Sequence, residues 1–215
     1  RITAVKALVA ATSQDLSTKK VAGAEFLRQI EGMVYGINPR AGFFRGSLFL
    51  HPDLKFVFRF PAGWQTQNAA EAVAVMSPHQ TALIELRAAQ GTAIDAARIF
   101  FAQEGMTAGA QSRGTIAGNP VVSAEFTATD GQGGSVKGIA AFFEYGAATW
   151  RTLAYSSAGR YDSWKPAFQQ SINSFDRLTD PVALAVQPMR LRIEVAQRAM
   201  SLMEFHGQWP SSISL

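Results

Sequence analysis

The chain of 215 residues contains no cysteine. Disulfides, thiolate zinc sites and cysteine nucleophiles are therefore excluded. A cysteine-free chain suits a reducing compartment and an oxidising envelope equally, so the compartment stays open on this ground. Histidine is scarce as well. His51, His79 and His206 are far apart, and none belongs to an HExxH pair. No GxSxG elbow occurs. The loop "GQGGS" joins two strand-like runs, whereas a phosphate-binding loop leads into a helix, so it reads as a hairpin turn. No catalytic and no metal-ligating residue is assigned. The chain also lacks a run of roughly 18 uncharged apolar residues, so no transmembrane segment is expected. No secretory leader opens it. It starts at Arg1 rather than Met, and is expected to be a fragment or a processed product.

Charged residues make up 17% and the net charge is +4. Residues 1–45 carry seven Lys/Arg against three Asp/Glu, while residues 46–180 carry ten against eleven. The central region lacks the basic face that phosphate backbones require, which argues against nucleic acid as a partner. Hydrophobic content of 47% is that of a folded globular protein.

The most legible stretch is "HPDLKFVFRFPAGWQ" at 51–65. Phe56, Phe58 and Phe60 alternate with Lys55, Val57 and Arg59, so three rings share the core-facing side of a strand. Each buried Phe contributes roughly 1.5–3 kcal/mol. Pro61 cannot donate to a ladder and ends the strand. Gly63 permits a turn, and Trp64 is placed to lie back over the sheet end.

Upstream, Ile2, Val5, Leu8 and Val9 fall on one helical face, and Phe26, Leu27, Ile30 and Met33 or Val34 on another. This arm has little core of its own and is expected to pack on something else. Downstream, 72–77 and 81–89 read as a strand hairpin. Residues 92–105 read as a helix with Thr92 or Asp95 in its first turn and a stripe of Ile94, Ala97 and Phe101. Four further strands follow, with turns at Gly118-Asn119-Pro120, at 130–134 and at Gly146, an antiparallel meander. Tyr161, Trp164, Phe168, Ile172 and Phe175 then mark a helix. Pro166 is expected in its first turn, with Asp162 or Ser163 as cap. The tail 181–215 reads as a strand and a short helix. Strands, helix, strands, helix in this order predict an α+β fold, one antiparallel sheet covered by helices.

Among the aromatics, Trp64, Trp150 and Tyr155 lie at strand ends or on the sheet. Core or rim packing is their plain reading. A groove that grips a peptide or another domain is the sharper one, and these three are the candidate binding residues.

Residues 31–54, "EGMVYGINPRAGFFRGSLFLHPDL", together with "AIDAARIFFAQEG", "TIAGNPVVSAEF" and "WKPAFQQSINSFDRL", resemble the region following the catalytic domain in bacterial BepA-like zinc metallopeptidases. The stretch 46–178 is similar to a PsbP-like α/β/α sandwich, and the tail resembles the first half of a LysM-like module. The resemblance implies three parts: a helical linker at 1–45 from the end of a peptidase domain, the sandwich at 46–180, and a partial LysM-like tail at 181–215. It implies a periplasmic or cell-envelope parent whose zinc, HExxH motif and general base lie outside this chain. The chain itself would carry no cofactor. Its partner would be its own peptidase domain or another protein.

Overall fold

The computed structural model describes residues 23–129 and 133–210. The helix expected over 2–9 and the centre of the turn at 130–134 lie outside the described residues. The chain divides into two compact units. One is Ile37–Pro188. The other is drawn from both ends, and its described part is residues 23–36 and 189–210.

In the larger unit the strands form two antiparallel sheets rather than the single sheet expected. The small one contains β1 (Phe43–Arg45), β2 (Leu48–His51), β3 (Phe56–Arg59) and β12 (Asp176–Arg177), in that order. Its extra strand β12 comes from beyond the last long helix, a pairing that local periodicity cannot reveal. Ser174 extends it: its hydroxyl accepts from the Arg59 N–H at 2.8 Å and lies 3.2 Å from the Arg59 carbonyl. The large sheet runs β4 (Gln65–Asn68), β5 (Ala72–Met76), β6 (Ala82–Ala89), β11 (Ala148–Ser157), β10 (Ser135–Tyr145), β9 (Asn119–Thr129) and β7 (Met106–Ala108). β8 (Ser112–Ile116) also pairs with β9.

The meander of β8 to β11 follows the expected order, each strand pairing with the next. Its first turn is Ala117-Gly118, starting one residue earlier than expected. Ala117 and Gly118 take φ of 51° and 78°, and Asn119 and Pro120 already belong to β9. Two consecutive positive φ values make the tight turn whose twist matches paired strands. Pro120 is tolerated as the second residue of β9 because it pairs with Thr115 of β8 only, the ladder to β10 ending at Val121.

Each face of the large sheet is covered differently. Helix α2 (Ala93–Phe101) lies on one face, over β9 and β10. (Helix α1, Gly23–Ile30, belongs to the smaller unit.) Thr92 caps α2 by accepting the Asp95 N–H at 3.2 Å, as its sequence position leads one to expect. The buried stripe is not the expected one. Ala93, Ala96, Ala97 and Phe100 face the sheet, while Ile94 stands exposed and Phe101 is half-buried. The stripe is rotated because small residues allow the helix to sit close against Ala140 and Phe142.

Helix α3 (Tyr161–Ile172) covers the other face together with the small sheet. Tyr161, Phe168, Ile172 and Phe175 are buried as their spacing predicts, and Trp164 is half-buried. Here the start of the helix differs from expectation. It begins at Tyr161, with Arg160 as N-cap and no side-chain cap, so Pro166 stands in the second turn. Pro166 is exposed, and the buried ring of Tyr161 holds the turn preceding it. Phe56, Phe58 and Phe60, each 2% exposed or less, join Phe143, Trp150, Phe168 and Phe175 in one cluster. Phe175 stacks on Phe56 at 5.0 Å. Beyond α3, Asp180 caps α4 (Pro181–Leu184), and Ala183 and Leu178 bury Leu50 behind the small sheet.

In the smaller unit, residues 33–35 run antiparallel to 189–191. The Tyr35 N–H donates to Met189 at 2.8 Å and the Leu191 N–H to Met33 at 2.8 Å. The tail expected to form a strand supplies an isolated bridge at Arg190 instead. Helix α5 (Leu202–Gln208) starts with a reciprocal cap between Ser201 and Glu204. Neither α1 nor α5 buries a side chain.

Candidate functional site

The three candidate aromatics do not converge. Trp150 and Tyr155 are five residues apart on β11, so their side chains leave opposite faces of the sheet. Trp150 is 7% exposed and packs at 4.8 Å on Phe56, inside the aromatic cluster. Tyr155 lies half-buried on the α2 face. There it borders an open hollow of about 460 Å³ with Met76, Leu83 and Val136. Trp64 returns over the sheet end as its position after Pro61 implies. It meets Trp164 edge to face at 5.2 Å and is half-buried. Trp150 and Tyr155 thus belong to different layers, one on each side of the sheet.

The histidines stay dispersed. His51 ends β2, packs at 5.2 Å on Phe56 and accepts the Leu54 N–H at 3.2 Å. Burial holds its imidazole below the usual value, against the opposing pull of Asp53. Among the described residues no group of three or more His, Asp or Glu side chains could hold a metal ion. Among them, too, no helix is long and apolar enough to cross a membrane.

The densest polar arrangement was not legible in the sequence. Glu125 of β9, Lys137 of β10, and Tyr161 and Lys165 of α3 meet where the helix crosses the sheet. Lys165 Nζ lies 2.7 Å and Lys137 Nζ 3.5 Å from the Glu125 carboxylate. Lys137 also stands 4.5 Å over the Tyr161 ring. The hydrogen bond from Lys165 holds the Glu125 carboxyl below the usual carboxylate range. The Tyr161 hydroxyl is fully buried beside the Glu125 carboxylate, with no partner at regular hydrogen-bond geometry among the described residues. Burial, then the Glu125 charge, pushes its ionisation well above the ordinary phenol value. A hollow of about 410 Å³ opens beside this cluster, lined by Ser112, Ser123, Glu125, Gln169 and Asn173. The two ammonium groups hold the Glu125 carboxylate in its ionised form. The arrangement ties α3 to the sheet. Its members come from three separate stretches, β9, β10 and α3, so no local motif announces it.

The smaller unit concentrates apolar surface. Among the described residues fourteen large hydrophobic side chains are exposed, and nine of them belong to this unit: Phe26, Leu27, Met33, Val34, Tyr35, Met189, Val195, Leu202 and Met203. A groove of about 620 Å³ runs between Leu27, Tyr35, Leu191, Phe205 and Trp209. That density of exposed apolar groups is characteristic of surface that another partner covers.

No protein-family model matches the chain, and no curated protein does. Solved structures do. The chain is similar to the cyanobacterial PsbP protein CyanoP from Synechocystis sp. PCC 6803. The identity is 15%, over 62% of this chain and 94% of that one, with a TM-score of 0.45. It is also similar to LpqN, involved in cell envelope biogenesis of Mycobacterium tuberculosis. There the identity is 8%, over 75% and 99% of the two chains, with a TM-score of 0.42. The assignment of an α+β fold rests on the strand pairing and helix packing described above.

Proposed function

We propose that the chain is a non-catalytic accessory region of a periplasmic or envelope zinc metalloendopeptidase. It docks on the catalytic domain or holds protein substrates close to it. The observation that carries this reading is the apolar surface of the smaller unit. Phe26, Met33, Leu202 and Met203 are each more than half exposed, on helices and turns that bury nothing of their own. Such a unit is stabilised by a neighbour. The likeness of residues 31–54 to the segment that follows the peptidase in BepA-like proteins supports a peptidase domain as that neighbour.

The alternative, an independent peptide-, lipid- or envelope-binding module using the aromatic sheet face, loses the part of its surface at Trp150, which is buried beneath α3 and the small sheet, and keeps the open hollow beside Tyr155. Two measurements test the proposal. The coding sequence upstream of Arg1 is expected to contain a helix bearing HExxH, and any other domain there overturns the parentage. Size-exclusion chromatography with that peptidase domain is expected to give co-elution that Phe26→Asp with Met203→Asp abolishes. Co-elution unaffected by the double variant overturns the docking surface.

A further inference from the structure

The large sheet has two edges, and they are built differently. At the β9 edge, β7 pairs with residues 126–128 and β8 with 119–123, and the chain steps between them at Gly109. Arg113 on β8 adds a charge. Breaks, charges and prolines are how edges resist further strands. At the opposite edge β4 reads Gln-Thr-Gln-Asn. It has no charge, proline or glycine, and all four residues are exposed.

The free row of hydrogen-bonding groups on β4 can be identified. Its register with β5 pairs Gln65 with Met76, Thr66 with Val75, Gln67 with Ala74 and Asn68 with Val73. The hairpin end is closed by Ala69 N–H donating to the Ala72 carbonyl at 3.0 Å. Antiparallel ladders alternate, so Gln67 and Gln65 turn their backbone groups inward to β5. Thr66 and Asn68 turn theirs outward. Among the described residues no turn, loop or cap hydrogen bond involves either backbone, and β4 is the last strand on that side of the sheet. The strand end is anchored nonetheless, by the Asn68 side-chain amide donating to the Gly42 carbonyl at 2.8 Å.

We infer that β4 is an acceptor edge for an extended polypeptide, which adds as a further strand through Thr66 and Asn68. The two outward residues present a donor and an acceptor each, repeated after about 6.8 Å, the two-residue spacing of an extended chain. A sugar or a lipid offers no such repeat. The preferred segment carries apolar residues at alternate positions. Beside Gln65 and Gln67 a depression of about 140 Å³ lies over Ala74, Met76 and Leu83, and the short Ala74 side chain leaves it open to a side chain from an added strand. This inference rests on the substrate-holding part of the proposed function only for the source of the polypeptide. It is tested without any peptidase, so the two stand or fall separately.

The test is amide hydrogen exchange, read by NMR on the 215-residue chain. In the free chain the Thr66 and Asn68 amides exchange rapidly, and those of Gln65 and Gln67 are protected. The probe is reduced, carboxymethylated α-lactalbumin, an unfolded polypeptide. At ten times its Kd it slows Thr66 and Asn68 about tenfold. Thr66→Pro removes one outward donor without touching the ladder to β5, so it is expected to abolish this protection while the spectrum elsewhere persists. Should Thr66→Pro perturb the fold, α-lactalbumin fragments N-methylated at alternate amides replace it, and are expected to give no protection. Protection of both amides in the free chain, failure of the probe to slow them, or full binding by Thr66→Pro overturns the inference. So does protection that rises with chain concentration alone, since the occupant is then a second copy.

Discussion

The two faces of the large sheet solve the same burial problem with different materials. The face beneath α3 and the small sheet is aromatic. Phe56, Phe58, Phe143, Phe168, Phe175 and Trp150 interlock there, and the layer is closed. The face beneath α2 is built from alanines with four phenylalanines, Phe100, Phe101, Phe126 and Phe142. It is closed over β9 and β10 and open over Met76, Leu83 and Tyr155. Area buried per side chain sets stabilisation, so the first face carries the fold, and the second keeps room for contact.

The largest expected effect is on the aromatic face. Phe58→Ala, at 0% exposure, should cost about 3–5 kcal/mol in urea unfolding. A cost comparable to that on the alanine face would erase the distinction. Next comes Gly138→Ala, where a Cβ would meet the Ala154 carbonyl at 2.4 Å and the Phe126 ring at 2.7 Å. Since backbone must shift, the expected loss is about 1–3 kcal/mol. A neutral result would mean that β10 and β11 lie farther apart. On the open face, Phe101→Ala removes a half-buried ring and should cost only about 1–2 kcal/mol.

Tyr161→Phe is expected to be nearly neutral near pH 7, because it deletes a buried hydroxyl that has no partner at regular hydrogen-bond geometry. Its effect appears in alkali. The folded phenol ionises later than the ordinary value of 10, so the unfolded chain loses its proton first. Stability present below pH 10 is lost above it, and Tyr161→Phe should flatten that loss in thermal melts recorded across the alkaline range. The acid limb has the opposite sign. His51 lies below 6.5 and Glu125 below 4.5 in the folded state, so the unfolded chain takes up protons first. Stability should decline in two stages as pH falls past each ordinary value, the second shallower in Glu125→Gln but still present, because Asp95, Asp180 and Glu204 are also held below the usual carboxylate range.

The β3 pattern, the meander and the spacing of Tyr161, Phe168, Ile172 and Phe175 were legible because strand and helix periods place those side chains on one side whatever the tertiary context. The stripe of α2 was not. Ile94 and Ala93 compete for the same face, and closeness to Ala140 rather than hydrophobicity decides between them. Pro166 misled for a similar reason, since packing of Tyr161 outweighs the missing backbone donor.

The polypeptide sequence by itself determined that β3, β5, β6 and β8 to β11 are strands, which residues bear the aromatic core, and that cysteine chemistry is absent; these follow from composition and short-range periodicity. Only the tertiary structure decided that Trp150 and Tyr155 face opposite ways into different layers, that Glu125, Lys137, Tyr161 and Lys165 meet, and that Thr66 and Asn68 stand at an open edge. Each of these depends on which strand lies beside which, and pairing between distant segments is set by the packing of the whole sheet.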